Sequence, residues 1–195
     1  MNKIMSTVTI AFALIYFQTI KAQNNYYDAF GAPELKVTRM LGQNALITGG
    51  RFGWVIDHQF VLGGGIYALT STINLNLYDP ISGEKLQLGF NCGGLEFEYI
   101  FFSEEKVHAS VDMLCAGAGV TYSVPDKSKP HSSYFSQNLL VWEPQLNLEV
   151  NVLKWLHIDA GASYRLVSSF QSYYGLTDKN LEGLTGVLTF KFGSY

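Results

Sequence analysis

The sequence has few charged residues, no basic cluster and no long apolar run beyond its first two dozen residues. Charged residues make up 15% of the chain, and 16 acidic residues outweigh 13 basic ones, for a formal net charge of −3. This charge balance excludes a nucleic-acid-binding role. No segment after residue 22 reaches the roughly 18 consecutive apolar residues of a membrane-spanning helix, so an α-helical span is excluded as well.

Cysteine is also scarce, because the chain contains only Cys92 and Cys115. Two isolated cysteines do not make a metal site, so no metal is expected. Simple hairpin register places Cys92 near Gly117 and Cys115 near Gly94, close together but not directly opposite. In an oxidising compartment this leaves two alternatives open: a disulfide bridge, or two small residues in the wall of a sheet.

The first 22 residues have the three parts of a secretory signal peptide. Lys3 supplies the positive charge, residues 7–17 form the apolar stretch, and Ala22 supplies the small residue at the end. A membrane-anchoring helix would need about 20 apolar residues, and this stretch is much shorter. We therefore expect cleavage after Ala22 and export of the remaining chain.

The exported part contains a series of segments in which polar and apolar residues alternate. In residues 141–152, Trp142 and Leu148 share one face, whereas Glu143 and Asn147 share the other. Side chains of a β-strand point alternately to the two sides of a sheet, so this segment has one apolar and one polar face. Eight strands are predicted in this way, at residues 35–41, 45–56, 60–69, 85–101, 107–122, 139–152, 155–167 and 184–192.

The predicted connections between these strands alternate in length. The short turns are residues 57–59, 103–106 and 153–154, and the long polar loops are residues 70–84, 123–137 and 168–182. Short turns at one end and long loops at the other are typical of transmembrane barrels. The short connection at residues 42–44 is an exception, and it leaves open an alternative in which residues 35–56 form one bent strand. Since such barrels have an even number of strands, we favour eight.

The alternation changes sides in the fourth and fifth predicted strands. Leu88 and Phe90 share one parity in the fourth strand, whereas Leu95 and Phe97 have the other. Residues 92–94, with the sequence Cys-Gly-Gly, lie at this change, and we predict a β-bulge there.

Periodicity alone does not say which face of a barrel is inside. A soluble lipocalin-like carrier would turn its apolar face inward around an apolar ligand. Aromatic residues near the strand ends favour the opposite arrangement, because membrane barrels have aromatic girdles at both interfaces. The polar face then forms an interior polar network, either a structural set of ion pairs or a path for protons or ions. Its predicted members are Arg51, Glu96, Glu98, Asp112, Glu143, Glu149, Asp159, Arg165 and Lys191.

The last predicted strand is rich in large apolar residues: Leu188, Phe190 and Phe192 alternate along it, and Tyr195 follows. With the signal peptide and the eight-strand pattern, this ending resembles that of small bacterial outer-membrane β-barrel proteins of the OmpA-like and OmpX-like kind. The resemblance implies an all-β, eight-stranded antiparallel up-and-down barrel at residues 34–195, preceded by a short periplasmic segment at residues 23–33. It also implies an outer-membrane location in contact with lipid, recognition of the last strand by the barrel-insertion machinery, no cofactor, and a structural or surface-binding role.

Catalytic and phosphate-binding motifs are missing from the sequence. There is no G-x-S-x-G motif and no glycine loop followed by Lys-Ser/Thr. Ser/His/acid sets at residues 108–112 and 157–163 share a face, but residues two apart in a strand lie roughly 6–7 Å apart, too far for a direct hydrogen bond. We therefore expect no enzyme, with lipid modification as the least favoured alternative. Six loop aromatics are candidates for binding an extracellular ligand: Tyr78, Tyr134, Phe135, Phe170, Tyr173 and Tyr174.

Overall fold

The computed structural model describes residues 27–79, 83–124, 133–169 and 177–193, so the predicted signal peptide lies outside the described residues. Among the described residues, no helix has the length and hydropathy needed to cross a membrane. The strands are β1 (Tyr27–Met40), β2 (Gln43–Ile56), β3 (Phe60–Leu69), β4 (Asn74–Tyr78), β5 (Lys85–Phe101), β6 (Val107–Ser123), β7 (Ser133–Leu153), β8 (Leu156–Ser169) and β9 (Gly183–Gly193), with a 3-10 turn at Asp178–Asn180 before β9.

Eight of these strands close into an antiparallel barrel, which confirms the predicted fold. Neighbouring strands pair in chain order, β3 pairs directly with β5, and β9 pairs with β1 to close the ring. The short strand β4 pairs with β5 beyond the end of β3, and it lies within the region predicted as a long loop. We call the end with the short connections at residues 57–59, 102–106 and 154–155 the turn end, and the opposite end the loop end.

β1 and β2 form a hairpin, which excludes the single bent strand. Met40 pairs with Gln43, and the two residues between them, Leu41 and Gly42, have φ angles of 52° and 74°. Both angles lie in the left-handed region that two-residue hairpin turns require. The turn therefore accounts for the eighth barrel strand.

β1 is longer than predicted. It begins at Tyr27 rather than residue 35, so residues 27–33 pair with β2 and are not a separate periplasmic segment. Asp28, Gly31 and Pro33 have low strand propensity, which hides this half of the strand in the sequence. Phe30 nevertheless packs inside the barrel and is almost completely buried.

No bulge interrupts β5, so the predicted bulge at residues 92–94 is wrong. Pairing with β6 runs without a shift from Gln87 to Phe101, and the even-numbered residues face inward throughout. The interior itself changes character, because Leu88 is buried near the loop end and Glu98 near the turn end. The change of parity in the sequence therefore reflects a change in the surroundings of the two faces, while the pairing of β5 with β6 stays regular.

Buried side chains form layers along the barrel axis. Near the turn end, above a small apolar cluster, most inward side chains are polar or charged. The loop end instead holds a large apolar layer that includes Met40, Ile73, Phe90, Val120 and Leu181. The small cluster at the turn end consists of Phe30, Ala32, Val55, Val61 and Ile100.

The outer surface shows the opposite layering. Large apolar residues face outward over the turn-end part of the barrel, with ring contacts between Phe60 and Tyr99 and between Trp155 and Phe192 near the short turns. Toward the loop end, β5, β6 and β7 extend beyond this apolar band. Their outward residues there are polar or glycine, and include Gln87, Asn91, Thr121, Ser136 and Asn138.

The two cysteines are free, and they lie on different faces of the sheet. Cys92 is buried and faces inward, whereas Cys115 is half-buried and faces outward. Cys92 pairs with Ala118 and Cys115 with Leu95, one residue away from the predicted register. Side chains on opposite faces of a sheet cannot form a disulfide without distorting the backbone, so the bridge is excluded and the wall-residue alternative applies.

Candidate functional site

All nine charged residues predicted for the interior network are buried inside the barrel. Eight of them belong to three linked clusters, each centred on one cation. We name these the Arg51 cluster, the Lys191 cluster and the Lys36 cluster after that cation.

In the Arg51 cluster, one guanidinium group on β2 contacts three carboxylates from β5 and β6. Its Nε lies 2.7 Å from Glu96, one terminal nitrogen 2.9 Å from Glu98, and the other 2.5 Å from Asp112. The planar guanidinium offers donors in several directions at once, which suits it to join neighbouring strands. The centre of the Phe30 ring lies 5.6 Å from the guanidinium carbon of Arg51.

The Lys191 cluster adjoins the Arg51 cluster through Glu98, which contacts both cations. The Lys191 ammonium lies 2.9 Å from Glu98, 2.6 Å from Glu149 and 2.9 Å from Asp159. In the described part of the chain, these three carboxylates are the only group with the spacing of a metal site. Because the Lys191 ammonium lies among these three carboxylates, the chain itself supplies the cation that they bind.

Two histidines complete the Lys191 cluster at the turn end. His108 Nε2 and His157 Nδ1 each lie 3.3 Å from Glu149. His157 also contacts the side chain of Asn151 at 2.5 Å, and His108 Nδ1 lies 3.1 Å from the carbonyl of Glu105. His108 therefore has a polar partner at each ring nitrogen, whereas Glu149 and Asn151 both contact Nδ1 of His157.

The Lys36 cluster lies toward the middle of the barrel and was not predicted in full. Lys36 on β1 lies 2.8 Å from Glu143 on β7 and 3.2 Å from Glu34, with its ammonium 4.3 Å from the centre of the Tyr67 ring. Ser163 donates a hydrogen bond to Glu143 at 2.7 Å. Glu34 and Lys36 alternate with Leu35 and Val37 in the sequence, and this alternation could have identified them as inward residues.

Arg165, the ninth predicted charge, bonds to neutral groups at the border between the polar and apolar layers. Its Nε donates to the Leu181 carbonyl at 2.8 Å, and a terminal nitrogen donates to Thr38 at 3.2 Å. The guanidinium carbon lies 5.6 Å from the centre of the Phe90 ring. Arg165 thus attaches the segment before β9 to the barrel wall.

The interior holds more negative than positive groups. In the described barrel strands, seven buried carboxylates stand against four buried cations, and the two histidines lie next to one of these carboxylates; an eighth buried carboxylate, Asp79, follows β4. The four cations are Lys36, Arg51, Arg165 and Lys191, and the seven carboxylates are Glu34, Glu96, Glu98, Asp112, Glu143, Glu149 and Asp159. Because several contacts span the lumen, as from β1 to β7, the network holds together strands that are not neighbours in the sheet.

In the two Ser/His/acid sets, the described contacts of the serines and of His157 run to residues outside the sets. Ser163 donates to Glu143, whereas His157 contacts Glu149 and Asn151. In the other set, Ser110 accepts a hydrogen bond from Asn147 at 3.3 Å. In neither set, therefore, do these contacts join a serine to a histidine, the arrangement that an activated nucleophile requires.

Of the six loop aromatics, only Tyr78 has a described side chain. It is exposed at the end of β4, and the Lys85 ammonium lies 5.9 Å from its ring centre. The backbones of Tyr134 and Phe135 belong to β7, and their side chains lie outside the described part of the chain. Phe170, Tyr173 and Tyr174 lie outside the described residues altogether.

No protein-family model matches the chain, and no curated protein matches its sequence. Its structure is similar to the N-terminal β-barrel domain of Pseudomonas aeruginosa OprF, with a TM-score of 0.55 and 12% identity over 84% of this chain and 96% of that one. It is also similar to Neisserial surface protein A, with a TM-score of 0.56 and 11% identity over 86% of this chain and 96% of that one. The chain has the fold of the small outer-membrane β-barrels. At these identities, the likeness of this outer-membrane-type barrel to its neighbours concerns the fold alone.

Proposed function

We propose that the chain is an integral outer-membrane protein with a closed lumen, which serves as a structural or surface-binding protein. The observation that carries this proposal is the inverted distribution of its side chains. Ile66, Leu146 and Leu148 are 74%, 65% and 61% exposed on the outer surface, while seven carboxylates are buried inside. A soluble monomer rarely exposes an apolar surface this continuous, whereas lipid makes it favourable.

The same distribution argues against a soluble carrier of an apolar ligand. Such a carrier would need an apolar cavity in the barrel, but the turn-end half of the interior is filled by the three charged clusters. Transfer of the exposed apolar band into lipid, by contrast, leaves every one of these charged groups with its partners. The membrane barrel is therefore the arrangement in which both faces are in a suitable environment.

A closed lumen is supported by the apolar layer at the loop end. The Leu88 amide donates to the Ile73 carbonyl at 2.9 Å, and the Leu41 amide donates to the Asn180 carbonyl at 2.8 Å. These bonds attach one connecting segment to β5 and another to the β1–β2 turn, and the side chains of Ile73 and Leu181 in these segments are almost completely buried in the apolar layer. An ion would have to enter this layer without polar partners, which costs several kcal/mol. We therefore favour the structural ion-pair network over the ion path.

The proposed membrane location also implies an orientation of the barrel and a route for its assembly. The short connections and the aromatic pairs would lie at the periplasmic side. The long loops, with Tyr78, would face the outside of the cell and form the surface for an extracellular ligand. β9 carries Leu188, Phe190 and Phe192 on its outer face and would be recognised by the barrel-insertion machinery. The apolar band would contact outer-membrane lipid.

The first experiment tests membrane integration. The full precursor is expressed in a Gram-negative host, outer membranes are isolated and washed with urea, and boiled and unboiled samples are compared on a denaturing gel. We expect retention in the membrane and a heat-dependent mobility shift. Release as a soluble protein without a shift would contradict the membrane proposal and favour the carrier.

A second experiment tests the closed lumen separately. The purified barrel is inserted into planar lipid bilayers, and the current is recorded under an applied voltage. We expect no discrete conductance steps. Regular steps from a protein that is membrane-integral by the first experiment would contradict the closed lumen alone.

A further inference from the structure

A groove runs along the outward-facing side of β9, β1 and β2. Gly186 on β9 faces outward, and it pairs with Ala162 on β8 and with Val37 on β1. Gly186 has no side chain, so the surface is recessed beside Val37 and Leu184, whose side chains are 60% and 70% exposed. The resulting groove has a volume of about 390 Å³.

Arg39 stands at the loop-end edge of this groove. It follows Val37 by two residues on β1, so both side chains face outward, and it pairs with Asn44 on β2. Both Arg39 and Asn44 line the groove. The Arg39 side chain is exposed, and among the described residues its guanidinium has no ion-pair partner. It is therefore available to a ligand that occupies the groove.

The charged residues on the outer surface indicate the sign of the charge that the ligand carries. In the described parts of the strands, Arg39 and Lys85 are the only charged residues that face outward, and both lie at the loop end. A guanidinium at the border of an apolar band is placed to meet an anionic headgroup, and its fork of donors matches phosphate oxygens. The apolar groove below it is placed to hold an acyl chain.

The neighbouring surface provides room for further chains. A wider apolar depression of about 940 Å³ continues from Leu184 and Ala162 across β7 and β6 as far as β5 and β3, and its lining includes Pro144 and Met113. Leu184 lines both this depression and the groove below Arg39. The combined surface therefore suits a lipid with several acyl chains better than one with two.

We propose that this groove binds a phosphorylated, multiply acylated glycolipid of the outer leaflet. A phosphate group would bind Arg39 and Asn44, and one acyl chain would lie over Gly186, beside Val37 and Leu184. The inference rests on the proposed membrane integration, and it adds a specific lipid and a specific side of the barrel to it.

The test uses the purified full barrel in neutral detergent, with native mass spectrometry to measure binding of lipid A. We expect Arg39→Gln to weaken binding about tenfold, the loss that one charge-assisted hydrogen bond to phosphate explains. Gly186→Val should weaken it by filling the groove. Lys85→Gln, which removes the other outward cation away from the groove, is the matched control and should leave binding within about twofold.

Three further probes separate the sources of binding. Dephosphorylated lipid A should bind the wild-type protein and Arg39→Gln equally, because the proposed partner of the arginine is then missing. Phosphatidylglycerol should bind less tightly than lipid A, and phosphatidylcholine more weakly still. Equal binding of lipid A to Arg39→Gln and the wild-type protein, or tighter binding of phosphatidylglycerol, would overturn the inference.

The two proposals fail in different ways. A protein that shows the heat-dependent mobility shift but no preference for lipid A contradicts only the glycolipid site. A protein that shows no shift and needs no detergent contradicts the membrane integration on which the site rests. Since Arg39 faces outward and has no partner inside the barrel, its substitution should leave the mobility shift unchanged.

Discussion

Replacement of Lys191 by methionine would remove the cation at the centre of the interior network while retaining a side chain of similar length. The ammonium is completely buried and contacts carboxylates of Glu98, Glu149 and Asp159 at 2.6–2.9 Å. Among these, Glu98 also contacts Arg51, whereas Asp159 has Lys191 as its cation. The substitution therefore leaves at least one buried carboxylate without a positive partner.

The expected loss can be worked out from this contact set. Removal of one partner from a buried ion pair costs about 3–5 kcal/mol, because the remaining charge stays desolvated. Three carboxylates lose a contact here, but Glu98 retains Arg51 and Glu149 retains its histidines, so the value for one pair is the appropriate scale. We expect Lys191→Met to lower the free energy of unfolding by about 3–5 kcal/mol.

The assay is reversible urea unfolding of the barrel in lipid vesicles, followed by tryptophan fluorescence and by the gel mobility shift. Lys154→Met is the matched control, because Lys154 is exposed in the turn between β7 and β8. This substitution should change the free energy of unfolding by less than about 0.5 kcal/mol. Adding Asp159→Asn to Lys191→Met should recover part of the loss by removing the carboxylate left alone. A loss below about 1 kcal/mol for Lys191→Met would refute the argument that these charges depend on one another.

Two further predictions concern the walls of the barrel. Gly65→Ala should lower the free energy of unfolding by about 1–3 kcal/mol, because the new Cβ would lie 2.7 Å from the Tyr67 ring. Gly117→Ala is the control, since its new Cβ meets nothing within 4 Å, and it should be nearly neutral in the same urea titration. Leu146→Arg on the apolar band should cost about 2–4 kcal/mol, whereas Asn138→Arg on the same face of β7, beyond the band, should cost less than about 1 kcal/mol. Equal costs for the two arginines would contradict the proposed limit of the membrane.

Alternation was sufficient to predict most of the barrel, because each strand has to place its side chains in two different environments. β3 and β5 begin and end at the predicted residues, and the turns at residues 57–59 and 103–106 lie where the sequence placed them. The same argument identified nine of the eleven buried acidic and basic residues in the described barrel strands, and it missed Glu34 and Lys36. These predictions depended only on parity within one strand, which the sequence contains directly.

Contacts across the barrel could not be predicted in the same way. Lys36 meets Glu143 because β1 and β7 face one another across the lumen, and this depends on how the whole sheet curves and closes. A shift of one residue in a single hairpin changes such contacts, as the error in the predicted register of Cys92 shows. β4 was missed for a related reason, since it pairs only where β5 continues beyond the end of β3.

The mistaken bulge in β5 bears on where the proposed membrane would end. Toward the turn end, apolar residues such as Phe97 face outward, to the proposed lipid, and Glu96 faces inward. Toward the loop end, Gln87 faces outward, to the proposed aqueous side, and Leu88 faces inward. A strand that passes from one environment to the other must exchange the parity of its apolar residues while its backbone pairing stays continuous. Under the proposed membrane integration, the position of the exchange, at residues 92–94, marks the level at which β5 leaves the hydrocarbon.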